Sequence, residues 1–233
     1  MVYPRTEQIG CNISLMSGEV SVPENRVWSV IQIVAMLVTM EGALWTQGPT
    51  QVRWYLAALA VLVICVLFSH PRVRELGVGL RGIRDSAWTI LLAASLCGIA
   101  ILVAAKMGTL TLLYGSKPVY WHSIFYAIWA LEQQFILNSF FYKRFESLMG
   151  DTAIAVVVTA TLFALVHIPN PVLVPATFVG GLFFVAVFRR WRNIYPLAIA
   201  HAMFGLTLAI TIPDRWLHHM RVGLGFFRFH IHG

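Results

Sequence analysis

The stretch Trp54 to Phe68, WYLAALAVLVICVLF, determines the structural class of this chain. It is apolar on every side and lacks the alternation of polar and apolar side chains that is typical of a lipid-facing β-barrel strand. A helix satisfies its own backbone hydrogen bonds and can therefore cross a bilayer alone. We predict that this stretch is a transmembrane helix.

The rest of the chain has the same character. Of 233 residues, 58% are hydrophobic and 12% are charged, whereas an average soluble domain has about 25% charged residues. Mean hydropathy is +0.74. A spanning helix needs roughly 20 mostly apolar residues, and candidates lie near 27–45, 54–69, 87–105, 119–142, 152–168, 171–188 and 194–212. We predict an all-α fold, a polytopic transmembrane helical bundle of about seven spans.

Four parts follow from this pattern. A polar segment, 1–26, precedes three transmembrane helices within 27–118; four more helices occupy 119–212, and a basic tail follows at 213–233. The first segment lacks the apolar core and cleavage site of a removable signal peptide, so we expect the first helix to remain as an anchor. The three cysteines are scattered and offer neither metal-ligand spacing nor a disulfide framework.

The net charge of +7 predicts orientation rather than nucleic-acid binding, because the basic residues lie between helices and not along one face. When the loops are assigned alternately to the two sides, one side holds more Lys and Arg. That side includes Lys143, Arg144 and the cluster Arg189 to Arg192. Positive loops stay in the cytoplasm, so we expect a cytoplasmic N-terminus and an external C-terminus.

One carboxylate lies near the centre of an apolar segment. Glu132 stands in the run Ala130 to Ser139, ALEQQFILNS, which also carries Gln133, Gln134 and Asn138. Placing an ionisable group in the hydrocarbon layer costs about 2.5 to 3.5 kcal/mol on insertion scales, so its presence requires a structural or functional explanation. On an α-helix, Glu132 and Ser139 would share a face and point into the bundle. A polar contact between helices is the structural alternative. The other intramembrane carboxylate, Glu41, is near a helix end and is interpreted as structural.

Two histidines, His167 and His201, also lie in or at the ends of predicted spans. At 1.5 Å per residue, Glu132 and His201 lie about 16 and 14 Å from the basic residues that end their helices, so the two should meet near the midplane. By the same count His167 lies about 24 Å from Asp151, nearer the outer surface. Only helix tilt or a deep loop would bring it to the same level.

These motifs resemble the CPBP family, which includes the CAAX prenyl endopeptidases and bacteriocin-processing enzymes. The resemblance covers about 119–212 and is most specific at Phe163 to His167, which continues as Ile168, Pro169 and Asn170. The family has a second glutamate where Gln133 stands, an arginine where this chain has Leu137 or Asn138, and usually Asn or Asp at the position of Gly205.

The resemblance implies an intramembrane glutamic endopeptidase that cuts a membrane-anchored protein or peptide in the lipid bilayer without a cofactor or metal. Glu132 and His167 would activate the attacking water, and His201 would help to stabilise the oxyanion. Gln133, Asn138 and Asn170 would support the site, and Asn138 or a glutamine could replace the donor missing at Gly205. We expect a multi-pass protein of the bacterial inner membrane, with a C-terminal sorting enzyme as the subtype that an external C-terminus favours.

Two alternatives remain open. One glutamate and two histidines could hold Zn²⁺ with an open fourth position, although the sequence has no His-Glu-x-x-His run. The departures at Gln133, Leu137 and Gly205 also leave room for a non-catalytic or proton-coupled membrane protein that uses the same buried groups.

Overall fold

A computed structural model describes residues 26–69, 73–111 and 119–228 of the chain. Of the predicted polar segment 1–26, all but Arg26 lies outside the described residues. Within the described part every regular element is helical and no strand occurs, so the predicted all-α class is confirmed.

The first half of the chain forms two long helices, two short ones and a third long helix. They are α1 (Arg26–Leu44), α2 (Gly48–Ser69), α3 (Val73–Leu76), α4 (Ile83–Ser86) and α5 (Trp88–Met107). The second half begins with a composite helix and ends in short turns. Its elements are α6 (Val119–Gln134), a π-helix (Phe135–Tyr142), α7 (Lys143–Met149), α8 (Ala153–Leu165), α9 (Leu173–Trp191), α10 (Tyr195–Thr211), α11 (Asp214–Leu217), a 3₁₀ turn (His218–Met220) and α12 (Leu224–Phe227).

Among the described residues, four helical segments are long and apolar enough to cross a membrane. They are Arg26–Leu44, Gly48–Ser69, Ile83–Met107 and Leu173–Trp191. Two further apolar helices, α8 and α10, are shorter. With the composite helix 119–149, these segments follow the predicted spans in order, which agrees with a polytopic membrane bundle.

Close packing between α8 and α9 depends on a glycine. A Cβ on Gly181 would lie 3.1 Å from the Cα of Ala160, so the two backbones approach closely only because both residues are small. Such small-residue contacts are the usual way for membrane helices to associate, since lipid supplies no hydrophobic force between them. The remaining main contacts join α1 to α2 and to α7, and α10 to α5 and α6.

Ion pairs join one end of the composite helix to the end of α9. Arg192 donates hydrogen bonds to both carboxylate oxygens of Glu146, and Lys143 donates to the same carboxylate at 3.1 Å. Burial acts to raise the pKa of Glu146, but the hydrogen bonds and charges of Arg192 and Lys143 outweigh it and lower the pKa. The two basic clusters that the charge pattern assigns to the cytoplasm therefore lie at the same end of the bundle.

Candidate active site

A cavity of about 660 Å³ opens between the helices, and its wall is mostly apolar. Glu132 on α6, His167 after α8 and His201 on α10 all line it. The three residues that the sequence singles out are thus brought together in one cavity, although they come from three separate helical segments.

Glu132 lies in the last turn of α6, three residues before the π-helix begins at Phe135. It is exposed to the cavity rather than packed in the core. Ser139, which α-helical spacing would place on the same face, does not line the cavity. It is buried and donates a hydrogen bond to the Leu76 carbonyl at 2.6 Å. A π-helix forms i→i+5 bonds and so has more residues per turn, which rotates Ser139 away from the direction that an α-helix would give it.

His167 lies in the turn that follows α8. Its Nδ1 is 2.6 Å from the Phe163 carbonyl oxygen. A carbonyl can only accept, so Nδ1 carries the proton and Nε2 keeps its lone pair in the neutral ring. Nε2 is therefore the nitrogen that can take a proton.

The depth expected for His167 also changes. The sequence predicts a span of 152–168, but α8 ends at Leu165 after 13 residues. At 1.5 Å per residue this helix is about 20 Å long, shorter than the roughly 30 Å hydrocarbon core. His167, in the turn that follows this short helix, lines the same cavity as Glu132 and His201.

His201 is buried and is held by a chain of two amides. The side chain of Gln134 approaches His201 Nδ1 with its nitrogen at 3.1 Å, and the Gln134 oxygen accepts a hydrogen bond from Asn138 at 2.7 Å. Because the Gln134 oxygen already accepts from Asn138, its NH₂ group faces the ring and Nδ1 accepts. The proton of the neutral imidazole is then on Nε2.

Aromatic rings separate and orient the two histidines. Phe163 lies edge-on to both, with ring centroids 4.9 Å from His167 and 6.0 Å from His201. Phe184 stacks on His201 at 5.4 Å with the ring planes 29° apart. The hydrogen bonds favour opposite tautomers for the two imidazoles, with a lone pair at Nε2 of His167 and an N–H at Nε2 of His201.

The supporting residues predicted from the sequence have different positions. Gln133 lines the cavity, and its side-chain oxygen is buried with no hydrogen-bond partner among the described residues. Asn138 is fully buried, does not line the cavity, and donates a hydrogen bond to the side-chain oxygen of Gln134. Asn170 is away from the cavity wall, where it accepts from the backbone N–H groups of Val172 and Leu173 at the start of α9.

Asn170 also fastens the C-terminal segment. Its amide donates to the carbonyls of Leu217 at 2.8 Å and Arg221 at 3.0 Å. Met220 and Val222 of this segment line the cavity. The described part of the predicted basic tail is therefore folded against the site rather than extended from the bundle.

Two features of the site were missed by sequence reasoning. Gln134 belongs to the polar run Ala130 to Ser139, but nothing in the sequence distinguishes it as the direct partner of His201. Tyr126 also lines the cavity and lies against Gly205. Its position depends on a contact between α6 and α10 for which the sequence carries no local signal.

No group of three or more His, Cys, Asp and Glu side chains in the described part of the chain is arranged to hold a metal ion. The polar side chains of the cavity wall include the Glu132 carboxylate, the imidazoles of His167 and His201, the Gln133 amide, and the hydroxyls of Tyr55, Tyr126, Thr177, Thr207 and Thr211. These groups can accept a proton from water and donate hydrogen bonds to a developing negative charge.

A comparison with protein families agrees with the motifs. Residues 115–207 match the family described as type II CAAX prenyl endopeptidase Rce1-like. No curated protein and no solved structure matches the chain. The matched range contains Glu132, His167 and His201 and supports a membrane-embedded peptidase. The family resemblance predicted from the sequence is confirmed by this match over residues 115–207.

Proposed function

We propose that this protein is an intramembrane endopeptidase that hydrolyses a peptide bond in a membrane-anchored protein, with Glu132 as the general base. The observation that carries the proposal is the shared cavity of Glu132, His167 and His201. The family match over residues 115–207 supports a peptidase independently of this geometry.

The proposed reaction begins with a water molecule between Glu132 and His167. Glu132 takes a proton from this water, assisted by the free lone pair at Nε2 of His167, and the water oxygen bonds to the scissile carbonyl carbon. The electrons of the C=O π bond move to the carbonyl oxygen, where the Nε2–H of His201 donates a hydrogen bond to the oxyanion. The C–N bond then breaks, and the proton held by Glu132 and His167 passes to the leaving amine.

The cavity wall supports a lipid-anchored or helical substrate. Its lining is mostly apolar and is formed by helices from both halves of the chain. The matched family is described by its action as a CAAX prenyl endopeptidase, so a farnesylated peptide ending in Cys-aliphatic-aliphatic-X is the first probe to use. The orientation of the chain remains a prediction, and an external C-terminus would favour cleavage of an exported tail.

The proposal is tested with the purified full-length protein in liposomes. We expect it to cut the farnesylated peptide into two fragments that mass spectrometry identifies, and to keep its activity after treatment with a strong chelator, because the proposed steps use only side chains. Matched liposomes without protein control for spontaneous hydrolysis.

Loss of activity on chelation with recovery on adding Zn²⁺ would support the metal-dependent alternative. No cleavage of farnesylated peptides or of single-helix substrates with basic tails would contradict the proposed function.

A further inference from the structure

Tyr126 and Gly205 form a close contact between α6 and α10. A Cβ added to Gly205 would overlap the hydroxyl oxygen of Tyr126 and would also press on its ring. Gly205 is buried, so a side chain here could not simply turn out to solvent. The absence of a side chain at position 205 therefore makes the room that the Tyr126 hydroxyl occupies.

The residue that carries this hydroxyl lines the same cavity as the groups of the proposed reaction. Tyr126 and Gly205 both line the cavity. Gly205 is one turn beyond His201 on α10, a rise of about 6 Å, and residues four apart share a helix face. The Tyr126 hydroxyl is thus held beside the part of α10 that presents His201.

An oxyanion needs more than one donor to be well stabilised. In acyl-transfer enzymes, removing a single donor costs about 10²- to 10³-fold in kcat. His201 supplies one N–H, and Gly205 itself has no side chain to supply another. A tyrosine O–H can donate a hydrogen bond without losing its proton.

We propose that the Tyr126 hydroxyl is the second oxyanion donor, which acts together with the Nε2–H of His201. This inference rests on the proposed function and adds a catalytic residue to it. When water attacks the scissile carbonyl, the π electrons move to the carbonyl oxygen, and Tyr126 donates a hydrogen bond to that oxygen. When the C–N bond breaks, the C=O bond re-forms and Tyr126 keeps its proton throughout.

The test is Tyr126→Phe in the full-length protein in liposomes, with the farnesylated peptide as the probe. We expect kcat to fall about 10²-fold while KM changes little, because the hydrogen bond forms only as charge develops. Tyr195→Phe is the matched control, since the Tyr195 hydroxyl donates to the Val78 carbonyl at 2.9 Å, away from the cavity. Its kcat should equal that of the wild type.

A double-mutant cycle with Gly205→Ala separates the hydroxyl from general packing. In the wild-type background the added methyl should displace the hydroxyl and lower kcat by a similar factor. In the Tyr126→Phe background the same methyl should lower kcat much less, because the donor is already missing. Thermal unfolding in detergent measures the folded fraction of each variant.

Wild-type kcat in Tyr126→Phe, combined with loss of activity in a Glu132→Gln variant, would overturn this inference and leave the proposed function standing. Equal effects of Gly205→Ala in both backgrounds would also overturn it. No cleavage by the wild type would overturn both proposals.

Discussion

The lipid-facing helices and the junction of α6 with the π-helix use their side chains in opposite ways. In α2 only Ala58, Leu62 and Cys65 are buried, and its other side chains face outward or lie partly covered. In the π-helix every residue from Leu137 to Tyr142 is buried. An apolar side chain can face lipid without a specific packing partner, whereas a polar side chain inside the hydrocarbon layer needs a hydrogen-bond partner. Polar side chains therefore collect where the helix departs from α geometry and where the cavity opens.

The comparison implies that substitutions at the junction and cavity should affect catalysis strongly, whereas those on the lipid-facing helices should not. The largest effect among the histidines is expected for His167→Ala. General acid–base groups contribute about 10² to 10⁴ in rate, so we expect at least a 10²-fold fall in kcat with normal membrane insertion. His219→Ala is the control, because His219 is exposed in the C-terminal segment beside Asp214. Near-normal activity in His167→Ala would require a site built around Glu132 and His201 alone.

A smaller loss is expected for Gln134→Leu. This change removes the group that faces His201 Nδ1 and leaves the buried Asn138 amide without its acceptor. Leaving a buried polar group unpaired lowers the stability of the fold by about 1 to 3 kcal/mol. Without the Gln134 amide, the His201 ring can also adopt the other tautomer, which has no N–H at Nε2. We expect kcat to fall about 10- to 100-fold with KM nearly unchanged.

Gln134→Glu restores an acceptor for Asn138 but places a carboxylate at His201 Nδ1, which favours the opposite tautomer. Recovery of stability without recovery of kcat would support the positioning role of Gln134. Wild-type kcat in Gln134→Leu would show that the tautomer of His201 does not matter.

The smallest effect is expected on a lipid-facing helix. Leu91 of α5 is 72% exposed, so Leu91→Ala removes no packed contact and changes only the surface toward lipid. We expect kcat and the thermal unfolding temperature to stay at wild-type values. A large loss of activity would indicate that this face contacts substrate or a second copy of the chain. It would contradict the distinction between lipid-facing helices and a catalytic junction and cavity.

The sequence predicts the apolar segments well because each helix that crosses the bilayer needs roughly 20 mostly apolar residues, whatever it packs against. Most helices begin and end within three residues of the predicted spans. The main exceptions are α2, which begins at Gly48 rather than at 54, and the composite helix, which continues to Met149 rather than ending at 142. The π-helix could not be predicted, because the pattern of apolar and polar residues does not show whether the backbone forms i→i+4 or i→i+5 hydrogen bonds. The Tyr126–Gly205 contact also joins residues far apart in sequence, so no local pattern indicates it.

The central claim is that Glu132 is the base of a peptidase, and a matched pair of glutamates tests it most directly. Glu132→Gln keeps the shape of the side chain and removes its basicity, whereas Glu41→Gln changes a carboxylate that accepts a hydrogen bond from Trp45 at 2.8 Å and does not line the main cavity. Both variants should insert and unfold like the wild type. We predict that single-turnover cleavage of the farnesylated peptide is abolished in Glu132→Gln and unchanged in Glu41→Gln. Wild-type turnover by Glu132→Gln would contradict the account.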